Sequence, residues 1–223
     1  EILGFAGLVG AGRTEVFEAL CGVTRLEKGK VFLEGKEVHF KHPKESIAAG
    51  VGLLPEDRHR QGLVLRWEIY KNTSLSTLSK YISWKGMDVK QERLDAKNLN
   101  EKLGTKIQSV SDIASSLSGG NQQKVVFSKL LNSDLKVLIL DEPTKGVDVG
   151  AKAQIYEIIM DLVESGYGVI LISSEMPEVI SVSDRIAIMS NGRLAEIVDA
   201  QGITQERILA TAMQVRDNGE GEK

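Results

Sequence analysis

A phosphate-binding pattern stands near the start of the chain. Residues 7–14 read Gly-Leu-Val-Gly-Ala-Gly-Arg-Thr, which matches G-x-x-x-x-G-K-[ST] except that Arg13 replaces the lysine. The glycines let the backbone turn so that its N–H groups point toward phosphate oxygens, and the start of the following helix favours an anion. The Thr14 hydroxyl would be a ligand of Mg²⁺. A glycine-rich turn that binds nothing is the alternative interpretation. The predicted phosphate-binding residues are Gly7, Gly10, Ala11, Gly12, Arg13 and Thr14.

Two carboxylates end an apolar run in the second half of the chain. Residues 137–140 are Val-Leu-Ile-Leu, and Asp141 and Glu142 follow directly. Such a run predicts a buried strand of a parallel sheet, and ligands bind at the carboxyl edge of such sheets. We predict that Asp141 holds Mg²⁺, directly or through water, and that Glu142 polarises the water that attacks a terminal phosphate. A solvated strand end is the alternative.

A third segment has the residue types of an anion site at the start of a helix. Ser118 is followed by Gly119 and Gly120, and a helical pattern begins at Gln122. The serine hydroxyl can donate to phosphate oxygens, and the glycines permit close approach of the backbone. Alone, this pattern is more typical of a helix N-cap than of a ligand site. Its place between the phosphate loop and the acidic pair favours a nucleotide site, in which we include Gln122.

These segments need a fold that brings strand ends and helix starts together. Short apolar runs alternate with longer helical patterns, which is typical of an α/β fold with a mostly parallel sheet. The predicted buried strands span residues 2–9, 51–54, 137–140 and 168–173. Antiparallel hairpins are predicted at residues 30–40 and 185–198. The predicted helices span residues 14–20, 122–131, 151–164, 177–182 and 205–213.

The chain changes character between residues 66 and 119, where charged and polar residues dominate. Leucines at helical spacing (Leu94, Leu99 and Leu103) predict a small helical subdomain inserted into the sheet domain. The predicted organisation is a single domain with three parts. The core comprises residues 1–65 and 120–200, the inserted helical subdomain comprises residues 66–119, and a C-terminal helix with a polar tail comprises residues 201–223. We expect residues 216–223 to be disordered.

Composition limits the classes of function. The chain has 223 residues, of which 42% are hydrophobic and 26% charged, and its net charge is −3. These values are ordinary for a soluble globular protein and argue against a nucleic-acid binder with a basic surface. No apolar run approaches the ~18 residues of a membrane span. The one cysteine, Cys21, lies on an apolar helix face, which favours core packing. The two tryptophans, Trp67 and Trp84, flank the region of changed character and are expected to be at least half-buried, with contact to a membrane partner as the alternative.

The order of these motifs resembles that of the ATP-binding-cassette (ABC) ATPases, and the resemblance covers nearly the whole chain. Three segments resemble more narrowly the second cassette of ribose, xylose and galactose import ATPases. They are Pro-Glu-Asp-Arg at residues 55–58, Leu-Ser-Gly-Gly-Asn-Gln-Gln-Lys at 117–124 and Lys-Gly-Val-Asp-Val-Gly-Ala-Lys at 145–152. Those polypeptides carry two cassettes in tandem. The resemblance implies a P-loop, RecA-like core that binds ATP and Mg²⁺, a helical subdomain that carries the Ser-Gly-Gly signature, and ATP hydrolysis at the cytoplasmic side of a membrane.

The resemblance also implies partners. Two cassettes pair head to tail around ATP, and each composite site takes its P-loop and acidic pair from one cassette and its signature from the other. Transmembrane permease subunits and, indirectly, a sugar-binding protein complete the transporter, while no nucleic acid is expected. By the same motifs, Asp148 belongs to the loop that crosses the cassette interface. Since the chain begins with Glu1 rather than Met, we expect it to be a segment of a longer protein.

Four positions depart from the family pattern, and all belong to the cassette's own P-loop site. Arg13 replaces lysine, and Glu15 stands where related ATPases have a hydroxyl residue near the α-phosphate. Glu56 replaces the glutamine that senses Mg²⁺ and contacts the membrane subunit, and Ser174 replaces the histidine that contacts the γ-phosphate. An arginine fork is bulkier than an ammonium group, and a carboxylate at Glu15 repels phosphate. We therefore predict an asymmetric pair, in which this site binds nucleotide weakly and the signature completes the partner's site.

Three alternatives stay open. In the first, Arg13 substitutes for lysine and the cassette hydrolyses ATP itself, since Glu142 is retained. In the second, the chain is an ABC ATPase of DNA repair or of the ribosome, although these usually have long coiled-coil insertions or basic surfaces. In the third, it is a structural or regulatory domain with a vestigial site. Nucleotide titration tests the first, and salt-dependent binding of nucleic acid tests the second.

Overall fold

The chain folds into alternating strands and helices, described by a computed structural model over residues 1–219, with side chains to residue 213. The strands within these residues are β1 (Ile2–Gly7), β2 (Val31–Leu33), β3 (Lys36–Val38), β4 (Val51–Leu54), β5 (Ile82–Ser83), β6 (Gly86–Met87), β7 (Val137–Asp141), β8 (Gly168–Ile172), β9 (Arg185–Ser190) and β10 (Arg193–Asp199). The helices are α1 (Arg13–Leu20), α2 (Pro43–Ala48), α3 (Ile69–Ser74), α4 (Val89–Lys102), α5 (Gly119–Leu131), α6 (Val149–Glu164), α7 (Met176–Val182) and α8 (Gln205–Gly219).

The main sheet has six strands in the order β10-β9-β1-β8-β7-β4. Strand β1 is parallel to both β8 and β9, β7 is parallel to β8, and β10 is antiparallel to β9. Antiparallel hairpins β2–β3 and β5–β6 form separate two-stranded sheets. The predicted α/β architecture, a mostly parallel sheet with antiparallel hairpins, is therefore confirmed. The sequence did not predict β5–β6, because strands of two residues leave no alternating pattern to detect.

The interior of the sheet is built from the predicted apolar runs. Phe5 on β1 meets Phe17 on α1 edge to face, with ring centroids 4.7 Å apart and an angle of 89° between the rings. Cys21 is 1% exposed and packs in the same cluster as Phe17, Ile139 and Ile172. Burial raises the pKa of the Cys21 thiol to about 11. The prediction that this cysteine serves core packing is confirmed.

The chain divides into two compact units. We call the first the sheet unit; it comprises Glu1–Leu53, Lys136–Glu142 and the chain from Val163 on. We call the second the helical unit; it comprises Leu54–Leu135 and Pro143–Leu162. The P-loop, the acidic pair and Ser174 belong to the sheet unit, and the signature belongs to the helical unit.

Helix α4 of the helical unit buries polar side chains. One face of the helix carries Glu92, Ala96 and Asn100 at intervals of about one helical turn, and each of them is at most 1% exposed. Leu94, in contrast, is 50% exposed. The polar pair is tolerated because it has partners: Glu92 Oε1 accepts from Ser74 Oγ at 2.5 Å, and Asn100 Nδ2 donates to the Ala96 carbonyl at 2.8 Å. The helix that the leucine spacing predicts is present, although Leu94 itself lies on its exposed face.

The C-terminal region differs from its prediction in length. Helix α8 continues to Gly219, so residues 216–219 are helical where the sequence predicted a disordered tail. Residues 220–223 of that predicted tail lie outside the described residues. In the described part of the chain, every helix is too short or too polar to cross a membrane.

A partly buried lysine gives the helical unit a stability that depends on pH. Lys129 on α5 donates from Nζ to the Gly62 carbonyl at 2.5 Å, and burial lowers its pKa to about 8. In the unfolded chain this pKa is about 10.4, so between about pH 8 and 10 the unfolded state binds more protons than the native state. We expect this group's contribution to the free energy of unfolding to rise with pH across that window, by at most about 1.4 kcal/mol per pH unit.

Urea denaturation at pH 7, 8, 9 and 10 tests this expectation. The variant Lys129→Met should lose the rise, while Lys44→Met, which removes an exposed lysine from the sheet unit, should keep it. The comparison is between variant and parent, because the raised pKa of Cys21 lowers stability above about pH 9 in both. Parallel curves for Lys129→Met and the parent would contradict the burial effect.

Candidate functional site

The P-loop of the sheet unit has the backbone conformation that its glycines predict. Gly10 and Gly12 have φ of 79° and 86°, in the left-handed region that favours glycine. The loop closes with a hydrogen bond from the Ala11 amide to the Leu8 carbonyl at 3.0 Å. Helix α1 begins at Arg13, so its first amides have no partner within the helix and are suited to an anion.

The turn between β9 and β10 supports the P-loop from one side. The Gly192 amide donates to the Ala11 carbonyl at 2.9 Å, and a Cβ on Gly12 would lie 3.2 Å from the Gly192 Cα. At the end of β1, a Cβ on Gly7 would lie 2.4 Å from the Met189 carbonyl oxygen. Side chains at these positions would therefore push the loop away from β9. The Asn-Gly pair at residues 191–192 signals a turn in the sequence, but nothing in the sequence signals its contact with the P-loop.

The acidic pair lies at the same edge of the sheet as the P-loop. Phe5 on β1 and Asp141 on β7 are both in register with Ile172, on opposite sides of β8. Neighbouring strands are about 4.8 Å apart, so the ends of β1 and β7 are about 10 Å apart. Asp141 is 2% exposed, and Glu142 follows it with an unusual φ of 47°. A nucleotide phosphate at the P-loop would therefore face these carboxylates.

The end of β8 holds both Arg13 and Glu142. Arg13 Nη1 donates to the Ser173 carbonyl at 2.5 Å. The next residue, Ser174, donates its amide to Glu142 Oε1 at 2.7 Å, and the Glu142 amide donates to the Ile172 carbonyl at 2.8 Å. The cation of the P-loop and the expected base are therefore bonded to consecutive residues of one strand end. Ser174 acts here through its backbone, and its catalytic role at the position of the family's histidine stays a prediction.

Glu15 places a negative charge at the end of the P-loop, where the negatively charged phosphates of a nucleotide would bind. It is exposed in the first turn of α1, and within residues 1–213 no side chain forms an ion pair or hydrogen bond with its carboxylate. The positive end of the helix stabilises the carboxylate at this position. Bound phosphate would have to share that same field with it. Thr14 beside it is half-buried.

The signature of the helical unit forms the exposed start of α5. Ser118 precedes the helix as its N-cap residue without a capping bond from its side chain. Its Oγ accepts instead from Asn121 Nδ2 at 2.9 Å. The following glycines are sterically required, since a Cβ on Gly120 would lie 2.5 Å from the Ala151 Cβ and one on Gly119 would lie 3.0 Å from the Gly146 carbonyl oxygen. The hydroxyl and amides of this segment are available to an anion.

Gln122 lies under the signature and is 7% exposed. Its Nε2 donates to the Ala114 and Leu117 carbonyls at 3.3 and 3.2 Å, and its Oε1 lies 2.9 Å from His59 Nε2. All of these contacts position the signature segment within the helical unit. Its predicted contact with nucleotide stays a prediction.

The loop that carries Glu56 is tied to the segment that follows the acidic pair. Lys145 Nζ lies 2.5 Å from Glu56 Oε1, and Arg58 donates from Nη1 to the Lys145 carbonyl at 2.6 Å and from Nη2 to the Gly146 carbonyl at 3.0 Å. The sequence motifs at residues 55–58 and 145–152 did not indicate these contacts, since Arg58 and Lys145 are 87 residues apart in the chain. The structure shows a π-helical turn at Arg58–Gly62, in which Arg58 is bonded rather than solvated.

The oxygen donors of the sheet unit fit Mg²⁺. The Thr14 hydroxyl and the Asp141 carboxylate are hard oxygen ligands, and Mg²⁺ usually takes one or two carboxylates together with water and substrate phosphates. Over residues 1–219, no group of three or more His, Cys, Asp or Glu side chains could hold a metal ion by itself. A bound phosphate would therefore have to supply further ligands. Glu56, in the helical unit, stays a predicted ligand.

A protein-family model described as ABC transporter matches residues 1–145. The chain belongs to the ABC transporter family. As a cassette of this family, it is 45% identical over 212 residues to the ribose import ATP-binding protein of Lactococcus lactis subsp. cremoris. It is 46% identical over 213 residues to the xylose import ATP-binding protein of Geobacillus kaustophilus, and 48% identical over 214 residues to the galactose/methyl galactoside import ATP-binding protein of Clostridium tetani.

These alignments cover most of the cassette but less than half of each relative. Each covers 95% of this chain and 42–43% of the relative's length. The cassette's fold also matches two solved structures. One is a dimeric ATP-binding cassette in a post-hydrolysis state with ADP and Pi, with a TM-score of 0.76, 18% identity, and coverage of 91% of this chain and 87% of that one. The other is a nucleotide-free cassette from an ABC transporter, with a TM-score of 0.77, 19% identity, and coverage of 89% and 80%.

Proposed function

We propose that this cassette couples the binding and hydrolysis of ATP to sugar import, as the C-terminal cassette of a tandem ATPase. The names of its relatives support the sugar-import class. Coverage of 42–43% of each relative is compatible with one of two cassettes in a single polypeptide. The proposed partners are a second cassette paired head to tail, transmembrane permease subunits at the cytoplasmic side of a membrane and, indirectly, a sugar-binding protein, with no nucleic acid.

In this pair the signature acts on the partner's nucleotide. Ser118 would donate its hydroxyl to phosphate oxygens at the partner cassette's P-loop, and the backbone at Gly119 and Gly120 would approach them closely. Asp148, whose Oδ1 accepts from the Ala151 amide at 2.9 Å, would sit in the loop that crosses between cassettes. Closure on ATP would drive the permease subunits through the Glu56 loop and the helical unit.

The cassette's own P-loop site is proposed to be weak. The observation that carries this is the hydrogen bond at the end of β8 from Arg13 Nη1 to the Ser173 carbonyl. Binding the β- and γ-phosphates through Arg13 would break a short hydrogen bond that a P-loop lysine would not need to make. The carboxylate of Glu15, which has no partner among the side chains of residues 1–213, acts in the same direction. Both effects lower affinity for nucleotide in the absence of the partner.

Phosphate release by the purified 223-residue chain tests this proposal. We expect steady-state ATP turnover well below about 1 s⁻¹, the lower end for ordinary enzymes, even at millimolar ATP. The matched control is Glu142→Gln, which should leave this slow rate nearly unchanged if the site is already inactive. Turnover of several per second that Glu142→Gln abolishes would instead establish a competent site.

The competent site is the second candidate, and one observation favours it. Glu142 is present and its carboxylate is already held in place by the Ser174 amide, as a general base should be. In that case Glu142 would accept a proton from the attacking water while the P-loop amides hold the phosphates. Titration of the chain with a nucleotide separates the candidates, because a competent site requires affinity near cellular ATP levels.

A further inference from the structure

The β5–β6 hairpin of the helical unit presents an apolar tip to solvent. Trp84 in its turn is 90% exposed, and Ile82 and Met87 are 62% and 45% exposed. Ile82 pairs directly with Met87 across the hairpin, so both side chains lie on the same face. The expectation that Trp84 is at least half-buried is wrong. Leu78 and Val89, on either side of the hairpin, are also exposed.

The exposure of this tip is built into the fold. Tyr81, the residue before Ile82, is 3% exposed, and its hydroxyl donates to Asp95 Oδ2 at 3.0 Å. The Asp88 amide donates to the Tyr81 carbonyl at 2.7 Å and closes the base of the hairpin. Tyr81 ends the short helical turn before β5, so its burial and this hydrogen bond fix the base of the hairpin to the helical unit while Ile82 stays exposed. The apolar residues are therefore held away from the core in a fixed direction.

The charges around the tip are positive, although the chain as a whole is not. Residues 78–90 contain three lysines and one aspartate, whereas the net charge of the chain is −3. Lys85 Nζ lies 5.1 Å from the Trp84 ring centroid. Neither Lys85 nor Lys90 forms an ion pair with any residue from 1 to 213, and the aspartate, Asp88, accepts from the Gln91 amide at the start of α4. Two lysines next to the tip are thus unneutralised.

We propose that this tip, residues 82–87, inserts into the headgroup region of an anionic phospholipid membrane. Tryptophan favours that region, where its ring is half in an apolar and half in a polar environment. Ile82 and Met87 would enter the boundary of the acyl chains, while lysines near a membrane surface each strengthen binding to anionic lipid. Three large apolar side chains on a narrow hairpin are fewer than the 20–30 residues a side of a typical stable protein interface. A shallow, reversible contact with lipid suits them better.

The two tryptophans allow a direct test. The variant Trp67→Phe leaves Trp84 as the only tryptophan, and Trp84→Phe leaves Trp67. Each variant is mixed with vesicles of phosphatidylcholine alone or of phosphatidylcholine with phosphatidylglycerol. We expect the emission of Trp84 to shift to shorter wavelength and to be quenched by brominated acyl chains, only with the anionic vesicles. The emission of Trp67 should not change.

Charge variants test the electrostatic part of the proposal. Lys85→Gln with Lys90→Gln should weaken partition into the anionic vesicles by about 30-fold. The control, Lys36→Gln with Lys44→Gln, removes the same charge from the sheet unit and should leave partition within a factor of a few. All four lysines are exposed, so circular dichroism should show folded protein in each case.

Three results would overturn the lipid proposal. The first is an emission of Trp84 that anionic vesicles leave unchanged. This includes the case in which permease subunits shift the emission of Trp84 and vesicles do not. The second is equal binding to neutral vesicles. The third is a shift that depends on protein concentration without lipid, which would indicate a second copy of the chain. The vesicle assay contains no nucleotide, so its outcome is independent of the proposed ATPase function.

Discussion

Replacing Ser118 by arginine is expected to lower ATP hydrolysis by the full-length tandem protein by about 100-fold or more. The proposed function places this hydroxyl on the phosphates at the partner's P-loop. Removing one preorganised donor to developing charge typically costs about 10²–10³ in rate. The arginine side chain would also fill the space in which the partner's nucleotide binds. The measurement is steady-state phosphate release at saturating ATP by purified full-length protein with its permease subunits.

The structure indicates that this loss would be functional rather than a failure to fold. Ser118 is exposed, and the hydrogen bond that its side chain makes is the one from Asn121 Nδ2. Losing that bond costs about 1 kcal/mol of stability. The matched control is Ser115→Arg, which adds the same side chain to an exposed position on the same segment. Hydrolysis that survives Ser118→Arg undiminished would exclude the trans role of the signature.

The parts of the site that the sequence predicts are those fixed by backbone rules. Left-handed φ at Gly10 and Gly12 and the buried strand that ends at Asp141 both follow from local residue types. Parallel strands then place their carboxyl ends at one edge, whatever the order of the strands. The identity of the strand between β1 and β7 does not follow from these rules. Only the structure shows that it is β8, with Ser173 and Ser174 at its end.

The parts that the sequence does not predict depend on contacts between distant residues. The bond from Arg13 to Ser173 spans 160 residues, and that from Arg58 to Gly146 spans 88. Neither acceptor can be read from the residues next to Arg13 or Arg58. The expectation for Trp84 was wrong because it rested on the rule that large hydrophobic residues are usually buried. Trp84 is exposed because it lies in the turn of the β5–β6 hairpin, whose two-residue strands leave no pattern in the sequence.

Reversing two of the P-loop departures should restore affinity for nucleotide. The double variant Arg13→Lys, Glu15→Ser is expected to bind ATP·Mg²⁺ at least about tenfold more tightly than the parent chain. Two unit charges about 4 Å apart interact by up to about 4 kcal/mol at an effective dielectric of 20, and exposure of Glu15 reduces this to an expected 1–2 kcal/mol. A lysine at position 13 would also be freer to reach the phosphates, because it lacks the planar guanidinium through which Arg13 donates to the Ser173 carbonyl. Calorimetric titration of the 223-residue chain measures the effect.

The gain in nucleotide affinity should depend on salt, and it should be accompanied by a loss of stability. Because the repulsion is between exposed charges, the advantage of the double variant should shrink as salt is raised from about 0.01 to 1 M, over which the Debye length falls from about 30 to 3 Å. Glu15→Ser also removes a carboxylate from the first turn of α1, so the free energy of unfolding should fall by about 0.3–1 kcal/mol. The control Glu18→Ser removes the same charge one turn further along α1 and should change affinity much less. If Glu18→Ser tightens binding as much as Glu15→Ser does, the effect belongs to net charge, and the site is not weakened by its own P-loop residues.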